Sequence, residues 1–387
     1  MVGFVTAPAI AWGAGALEQL SGLGAQRAAV VLDPAVAGHE APRRAIEELE
    51  RAGASVAVIG DRPVSARLGD VVDLAARLRG ADADWVVAIG GGTTIDAAKA
   101  ARLFVERPEL SPERPPVDPS LPERPRTRLA AVPTTSGSGA EASWAVDLFD
   151  TDDRPVELAH RSLVPEWAIV DPRFAGELAP EAVVDGALQS AALACEAYLS
   201  AWASPFSDAF AVDAVRTVTH RLPHALRWSD DPEARAALHY AATMAGIAAS
   251  NAQRGVAHAL ARALVRPTGL GYGTLLGIAL PAVLDFDRPS CRDRLETLAE
   301  ALRAPGETTT VGVAERLRRT AAVCGVPPDL AAAGAEPARV DAARARIVAD
   351  TLRSPAVLAN PRVPTPADVA ALLAAIAGSA AMPHAQR

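Results

Sequence analysis

Short apolar runs alternate with helical patterns through the first 174 residues of the chain. The apolar runs are of the kind that a parallel sheet buries on both faces. Their alternation with segments of helical periodicity is typical of βαβ units, in which parallel strands are joined by helices. The predicted strands are 28–32, 55–59, 85–89, 129–132 and 167–170, and the predicted helices are 41–52, 64–79 and one that starts near Thr93.

The pattern changes after about residue 174. Alanine-rich amphipathic helices then follow one another with no convincing strand between them. In the first half of the chain, by contrast, the segment 107–126 is crowded with prolines and with charges of both signs, and we predict that it is a solvated loop. We therefore predict an α/β plus all-α protein, with a Rossmann-like parallel-sheet domain over 1–174 and a helical domain over 175–387. The predicted helices of the second domain include 180–200, 207–220, 232–251 and 256–265.

Composition narrows the functional classes. The 387 residues are 50% hydrophobic and carry a formal net charge of −8, which argues against nucleic acid or an anionic membrane surface as the main partner. Cys195, Cys291 and Cys324 are too few and too scattered for a disulfide framework or a metal cluster. The chain has no run of 18 apolar residues and no signal-peptide pattern. We therefore expect a cytoplasmic protein with reduced thiols and neither a nucleic-acid nor a membrane partner.

Three glycines separate the strand 85–89 from the helix that follows it. They lack a Cβ, so the backbone can turn sharply and approach a ligand, and the first N–H groups of the helix then form a phosphate site. The helix also carries the only lysine among 38 lysine and arginine residues, and its compact ammonium suits a phosphate. A tight structural corner and a lysine kept by chance are the alternatives. The candidate cofactor residues here are Gly90, Gly91, Gly92, Thr93, Asp96 and Lys99.

A second turn of small residues, 133–141, follows the strand 129–132. Its hydroxyl groups and glycines, with Thr134, Thr135 and Ser138 as candidates, can donate several hydrogen bonds to a diphosphate or to a nicotinamide amide. A merely flexible turn is the alternative.

Asp33 ends the strand 28–32. A dinucleotide-binding fold places a carboxylate at this position against the ribose hydroxyls of the adenosine. Such a carboxylate would repel a 2′-phosphate, so we expect NAD rather than NADP. An Asp-Pro turn with no ligand is the alternative reading of Asp33-Pro34.

These motifs, in this order, resemble the iron-containing (group III) alcohol dehydrogenase family, and the resemblance covers essentially the whole chain. It implies a Rossmann-like domain and a helical domain with a cleft between them, an architecture shared with dehydroquinate synthase. The family motifs GGGSxxDxxK, PTTxGTGSE, EAYxS, NxxxGxxHAxA and NPRxxTxxDI are similar to 90–99, 133–141, 196–200, 251–260 and 360–369.

The resemblance implies hydride transfer between NAD(P) and an alcohol or carbonyl carbon, assisted by a divalent metal held by one Asp and three His. In a gapless alignment Gln189 takes the place of the Asp and Leu193 that of the first His. His258 keeps the next ligand, Tyr272 replaces the last, and Arg262 replaces a further family histidine. This set should not hold Fe²⁺ or Zn²⁺, so we expect no metal.

Carbonyl reduction without a metal requires a proton donor or a fixed positive charge near the developing alkoxide. Tyr272 is a candidate general acid, especially if Arg262 lowers its pKa, and His258 can donate or relay a proton. Arg262 can alternatively bind a substrate carboxylate. The structural alternatives are a Tyr272 packed at a domain interface, a His258 that is only a remnant, and an Arg262 on a helix surface.

We therefore expect an NAD(H)-dependent, metal-independent oxidoreductase that acts on a small alcohol or carbonyl compound. The divergence of the site suggests that this enzyme belongs to a specialised biosynthetic pathway. A lyase, cyclase or transient-redox enzyme on the same scaffold is one alternative. An inactive cofactor-binding partner subunit is the other. The resemblance also implies a homodimer or a larger homo-oligomer.

Overall fold

The structure, a computed structural model, describes residues 4, 8–63, 65–110, 116, 118–228 and 231–378. The predicted start of the second helix at residue 64, and positions 111–115 and 117 of the predicted loop, lie outside the described residues.

Parallel strands form the centre of the N-terminal half, in a six-stranded sheet of order β1-β8-β5-β4-β2-β3. A separate antiparallel pair, β6 and β7, forms a hairpin. The residues of β4 are buried throughout, as expected for a strand covered on both faces. The strands are β1 (Ala9–Trp12), β2 (Arg27–Leu32), β3 (Ser55–Ile59), β4 (Trp85–Gly90), β5 (Arg128–Pro133), β6 (Ala145–Phe149), β7 (Pro155–Ala159) and β8 (Trp167–Val170).

The register of the sheet aligns the ends of three neighbouring strands. Leu32 of β2 pairs with Ile89 of β4, and Gly90 of β4 pairs with Pro133 of β5. Because these strands are parallel, the segments that follow them leave the sheet at one edge, which is where open α/β folds bind ligands. The three cofactor segments predicted from the sequence therefore begin at neighbouring positions.

Helices cover the sheet and form the whole C-terminal half of the described chain. The helices α5, α6 and α7 pack on one another around a core of small and aliphatic side chains. No described helix is both long and apolar enough to cross a membrane. The helices are α1 (Glu40–Arg51), α2 (Leu68–Ala81), α3 (Gly92–Glu106), α4 (Arg173–Gly176), α5 (Pro180–Leu199), α6 (Pro205–Arg227), α7 (Pro232–Ala252), α8 (Val256–Thr268), α9 (Tyr272–Ala301), α10 (Val313–Val323), α11 (Pro337–Arg353), α12 (Ala356–Ala359) and α13 (Pro366–Ala377).

The predicted fold class is confirmed, and the predicted strands 55–59 and 167–170 coincide with β3 and β8. Two features were not predicted from the sequence: β1, which is only four residues long, and the hairpin of β6 and β7. The proposed division at 174/175 falls within α4 and stays a prediction.

Candidate functional site

The two glycine turns lie against each other at the edge of the sheet. The Thr134 backbone N–H donates a hydrogen bond of 3.0 Å to the carbonyl oxygen of Gly90. A Cβ added to Gly92 would lie 2.6 Å from Cβ of Ser138, closer than side chains pack. Glycine at position 92 is therefore required for the contact between the turns.

The N-terminus of α3 opens from the first turn. Gly91 precedes the helix in an extended conformation and supplies no side-chain cap, and the Ile95 N–H donates to its carbonyl oxygen at 3.1 Å. The first N–H groups of a helix have no intrahelical partner and attract anions. Thr93 is exposed here, and Thr135 of the second turn is partly exposed beside Gly91. These residues fit the diphosphate of a dinucleotide.

Asp33 follows β2, the strand adjacent to β4. Its Oδ1 accepts a hydrogen bond of 3.0 Å from the Ala35 N–H, and the half-buried carboxylate has no other side-chain hydrogen bond among the described residues. The Asp-Pro turn therefore forms, and Oδ2 remains available for a ribose hydroxyl.

Lys99 and Asp96 are buried between α3 and β6, and a cofactor-binding role does not fit their positions. The fully buried Lys99 Nζ lies 3.2 Å from Asp96 Oδ1 and donates to the Ala145 carbonyl oxygen at 3.1 Å. Asp96 Oδ2 accepts from the Asp147 N–H at 3.0 Å. Burial lowers the pKa of Lys99. The lysine and its partner instead connect α3 to the hairpin, which corrects the prediction for both residues.

The second turn packs on the helical half through pairs of glycines. A Cβ on Gly137 would lie 2.7 Å from Cα of Gly186 in α5. Gly139 has φ +61°, and a Cβ there would lie 2.5 Å from Cα of Gly246 in α7. Because the backbone of the second turn packs this closely on α5 and α7, the turn is held in one position. The alternative of a merely flexible turn does not agree with these contacts.

His239 of α7 is buried behind the second turn. Its Nδ1 lies 3.0 Å from Oγ of Ser136, and its buried Nε2 has no hydrogen-bond partner among the described residues. Burial lowers the pKa of His239 to about 4.

The buried His239 should make the protein less stable in mild acid. The unfolded chain, with a histidine pKa near 6.5, binds the proton more readily than the fold does. Stability is therefore present above pH 6.5 and is lost as the pH falls towards 4. Between pH 7 and pH 5, wild type should lose about 2 kcal/mol more unfolding free energy than His239→Gln, measured by chemical denaturation. Equal losses would contradict this origin.

His258 lies in the first turn of α8 and is held by a buried carboxylate. Its Nδ1 is 2.5 Å from Oε2 of Glu196, whose Oε1 accepts from the Ala257 N–H at 2.6 Å. Asn360 Oδ1 accepts from the Val256 N–H at 3.1 Å. The glutamate and asparagine of two family-like motifs thus bind the free N–H groups at the start of this helix. The ring is fixed, and its Nε2 has no hydrogen-bond partner among the described residues.

Tyr272 lies at the start of α9 beside this ring. The ring centroids of Tyr272 and His258 are 6.0 Å apart in an edge-on arrangement, and the phenol donates to the His258 carbonyl oxygen at 3.5 Å. Burial raises the pKa of Tyr272, Asp147 raises it further, and the opposing effects of Arg254 and Arg262 are smaller. The expectation that Arg262 lowers this pKa below its usual value is therefore wrong. The phenol stays protonated at neutral pH and can still donate a hydrogen bond.

Arg262 is buried and connects α8 to the hairpin. Its Nη1 donates to Asp147 Oδ1 at 2.5 Å, and its Nη2 donates to the carbonyl oxygens of Leu148 and Val156, both at 3.0 Å. Because these donors are occupied, the predicted binding of a substrate carboxylate does not fit. The alternative of a surface helix residue is also wrong, since Arg262 is only 7% exposed.

Two of the four positions that the resemblance assigns to metal ligands, Gln189 and Leu193, lie along α5. Asp185, Gln189, Leu193 and Glu196 are spaced by four, four and three residues and so share one helix face. Both carboxylate oxygens of Asp185 are occupied, one by the Thr274 N–H at 3.0 Å and one by Gln189 Nε2 at 2.9 Å.

Leu193 has no donor atom, and among the described residues no three His, Cys, Asp or Glu side chains meet as a metal site. This donor set does not fit Fe²⁺ or Zn²⁺.

Comparisons with known proteins identify the family. The model of the iron-containing alcohol dehydrogenase family matches residues 7–172, and that of its C-terminal domain matches residues 183–377. A probable alcohol dehydrogenase, EutG, of Salmonella typhimurium is 35% identical over 308 residues, which are 79% of this chain and 76% of the relative. An NADPH-dependent butanol dehydrogenase of Clostridium saccharobutylicum is 30% identical over 80% of both chains.

The structure of the iron-containing alcohol dehydrogenase of Thermococcus thioreducens superposes with a TM-score of 0.87 at 29% identity, over 96% of this chain and 98% of that one. The chain therefore belongs to the iron-containing alcohol dehydrogenase family. The resemblance read from the motifs and the enzyme class that it implied are both confirmed.

Proposed function

We propose that this protein transfers a hydride between NAD(H) and an alcohol or carbonyl carbon without a metal ion. The observation that carries the proposal is the position of the His258 imidazole. Glu196 holds its Nδ1, and no described residue binds its Nε2. The described side chains around it are not a ligand set for a metal ion. NAD(H), when bound at the two glycine turns, would supply or accept the hydride. The chain has to supply the proton at the substrate oxygen.

His258 is the proposed proton-transfer group. A carboxylate only accepts hydrogen bonds, so Nδ1 of His258 is the donor in the contact with Glu196, and Nε2 is left for the substrate. The ring can then take the hydroxyl proton when an alcohol is oxidised and return it when a carbonyl is reduced. Tyr272, kept protonated by its raised pKa, is proposed as a hydrogen-bond donor beside it rather than as the acid.

The proposed dinucleotide site joins the sheet edge to the helical half. The proposed hydrogen-bond donors to the diphosphate and to the nicotinamide amide are Gly91, Thr93, Thr134, Thr135 and Ser138. The second turn also contacts α5, where the Ser190 hydroxyl oxygen lies 3.2 Å from the carbonyl oxygens of both Ser136 and Gly137 and can donate to either. Ser190 is next in the chain to Gln189, so the turn reaches the helix that forms the substrate side of the site.

We propose NAD as the preferred cofactor because Asp33 would repel a 2′-phosphate. The Clostridium relative is named NADPH-dependent, so the preference needs a direct comparison of kcat/KM for NADH and NADPH. We also propose a cytoplasmic location and a homo-oligomeric assembly. All three cysteines are free thiols, as expected in a reducing compartment.

Isotope transfer tests the proposed reaction. NADH carrying deuterium at C4, in each of its two stereochemical forms, is incubated with the protein and a panel of aldehydes. One form should yield a singly deuterated alcohol, with one NAD⁺ formed per alcohol. Product without net NADH consumption would instead indicate transient redox chemistry, and tight NADH binding with no turnover would indicate an inactive subunit.

A further inference from the structure

The charges beside His258 cancel one another. Arg254, Arg262, Asp147 and Glu157 form a group that we call the arginine–carboxylate network. Arg254 binds both oxygens of Asp147, at 2.6 and 2.9 Å, and lies 2.9 Å from Glu157 Oε2. Arg262 Nη1 contacts Asp147 Oδ1 at 2.5 Å. Two positive and two negative groups give the network no formal charge.

The network lies next to the proposed reaction centre. Arg262 follows His258 by four residues, about one turn of α8, and Arg254 lies in the short segment just before that helix begins. The side chains of Arg254, Arg262 and Glu157 are each no more than 10% exposed. Water therefore screens these charges little. The net charge near a bound substrate then depends on how the arginines pair with the carboxylates.

The pairing keeps Asp147 and Arg254 ionised at neutral pH. Burial alone would raise the pKa of Asp147, but Arg254 and Arg262 hold it well below its usual range. The pKa of Arg254 is raised well above its already high ordinary value, because Asp147 and Glu157 outweigh the effect of burial. An arginine that turned to bind a substrate anion would have to give up at least one of these carboxylate contacts, which is unfavourable for groups with so little access to water.

The other side of His258 adds no positive charge. Glu196 is acidic, and Leu193 and Tyr272 have no cationic group. Asp287, which accepts from Asn360 Nδ2 at 2.6 Å, has its pKa raised to about 8 by burial and is mostly neutral at pH 7. An anionic group on a substrate would therefore find no cation free to bind it among these side chains.

We propose that this site selects uncharged aldehydes and alcohols with apolar substituents and rejects substrates that carry a carboxylate, sulfonate or phosphate. This inference rests on the proposed function, because it concerns the same site. It follows from the pairing of both arginines: binding a substrate anion would require an arginine to leave a buried partner, whereas an uncharged chain packs on Leu193 and Tyr272 at no such cost.

A pair of matched substrates tests the selectivity. The methyl ester of 4-oxobutanoate and 4-oxobutanoate itself share one aldehyde chain and differ in charge. The NADH-dependent kcat/KM for the ester should exceed that for the anion by about 100-fold or more. Reduction of the anion at an equal or higher rate would overturn the selectivity and leave hydride transfer intact. Failure to reduce either compound, or pentanal, would instead contradict the proposed function.

A variant tests whether the network causes the selectivity. Glu157→Gln removes one negative charge and keeps the shape of the side chain, so the network becomes cationic. The preference for the ester over the anion should fall by about tenfold. Glu109→Gln, at an exposed glutamate paired with Arg107, is the matched control and should leave the preference unchanged. An equal loss of activity on both substrates in Glu157→Gln would assign the network a structural role only and overturn the inference.

Discussion

His258→Gln should lower kcat for aldehyde reduction by about 10²- to 10⁴-fold, the usual contribution of a general acid or base. The amide of glutamine can still donate a hydrogen bond to Glu196, so the start of α8 keeps its buried partner. It cannot bind and release a proton near neutral pH. Because His258 is outside the two glycine turns, the Kd for NADH, measured by fluorescence titration, should stay within about twofold of wild type.

His224 supplies the matched control for this substitution. It lies near the end of α6, is exposed, and its Nε2 lies 2.8 Å from Oδ2 of Asp231. His224→Gln should therefore leave kcat unchanged. Full activity in His258→Gln would exclude the histidine as the proton-transfer group. The Tyr272 hydroxyl would then be the remaining candidate for that role.

Gly92→Ala should weaken NADH binding by about tenfold or more, because the added methyl group meets Ser138 at 2.6 Å and pushes the two turns apart. The effect should appear in the Kd for NADH measured by fluorescence titration.

Gly69→Ala is the control for this change. Gly69 lies in α2, and no other atom would lie within 4 Å of a Cβ there. Replacing this helical glycine by alanine should raise stability by up to about 1 kcal/mol and leave the Kd for NADH unchanged. Unchanged NADH binding in Gly92→Ala would contradict the proposed cofactor site.

Five of the six strands of the parallel sheet could be predicted from the sequence because each is a continuous apolar run, whereas β1, with only four residues, was not. Their parallel arrangement then predicts that Asp33, Gly90 and Pro133 leave the sheet at one edge, and the register agrees. The hairpin was not predicted, because β6 and β7 are short and mix buried apolar residues with partly exposed ones instead of forming a continuous buried apolar run.

The errors at the site come from contacts that are distant in sequence. Arg254 and Asp147 are separated by 107 residues, and each alone resembles an ordinary exposed charge. The scarcity of lysine drew attention to Lys99, but composition cannot distinguish a phosphate ligand from a buried ion pair. The proximity of Arg262 suggested a lowered pKa for Tyr272, whereas the burial that raises it depends on the packing of helices.

The roles of Glu196 and Asn360 illustrate the same limit. Both are part of motifs that were recognised in the sequence, yet the motifs do not indicate what they bind. Glu196 reaches α8 across 61 residues and Asn360 across 104. Only the folded chain brings them to the same helix start, where they orient His258.

Metal dependence is the most direct test of the proposed mechanism. The protein is treated with a chelator, its iron and zinc are measured by mass spectrometry, and NADH-dependent reduction of pentanal is followed before and after Fe²⁺ or Zn²⁺ is added. We predict that the metal-depleted protein keeps its full rate and gains nothing from either ion. Loss of activity on chelation, restored by about one metal ion per chain, would contradict a proton-transfer role for His258 without a metal.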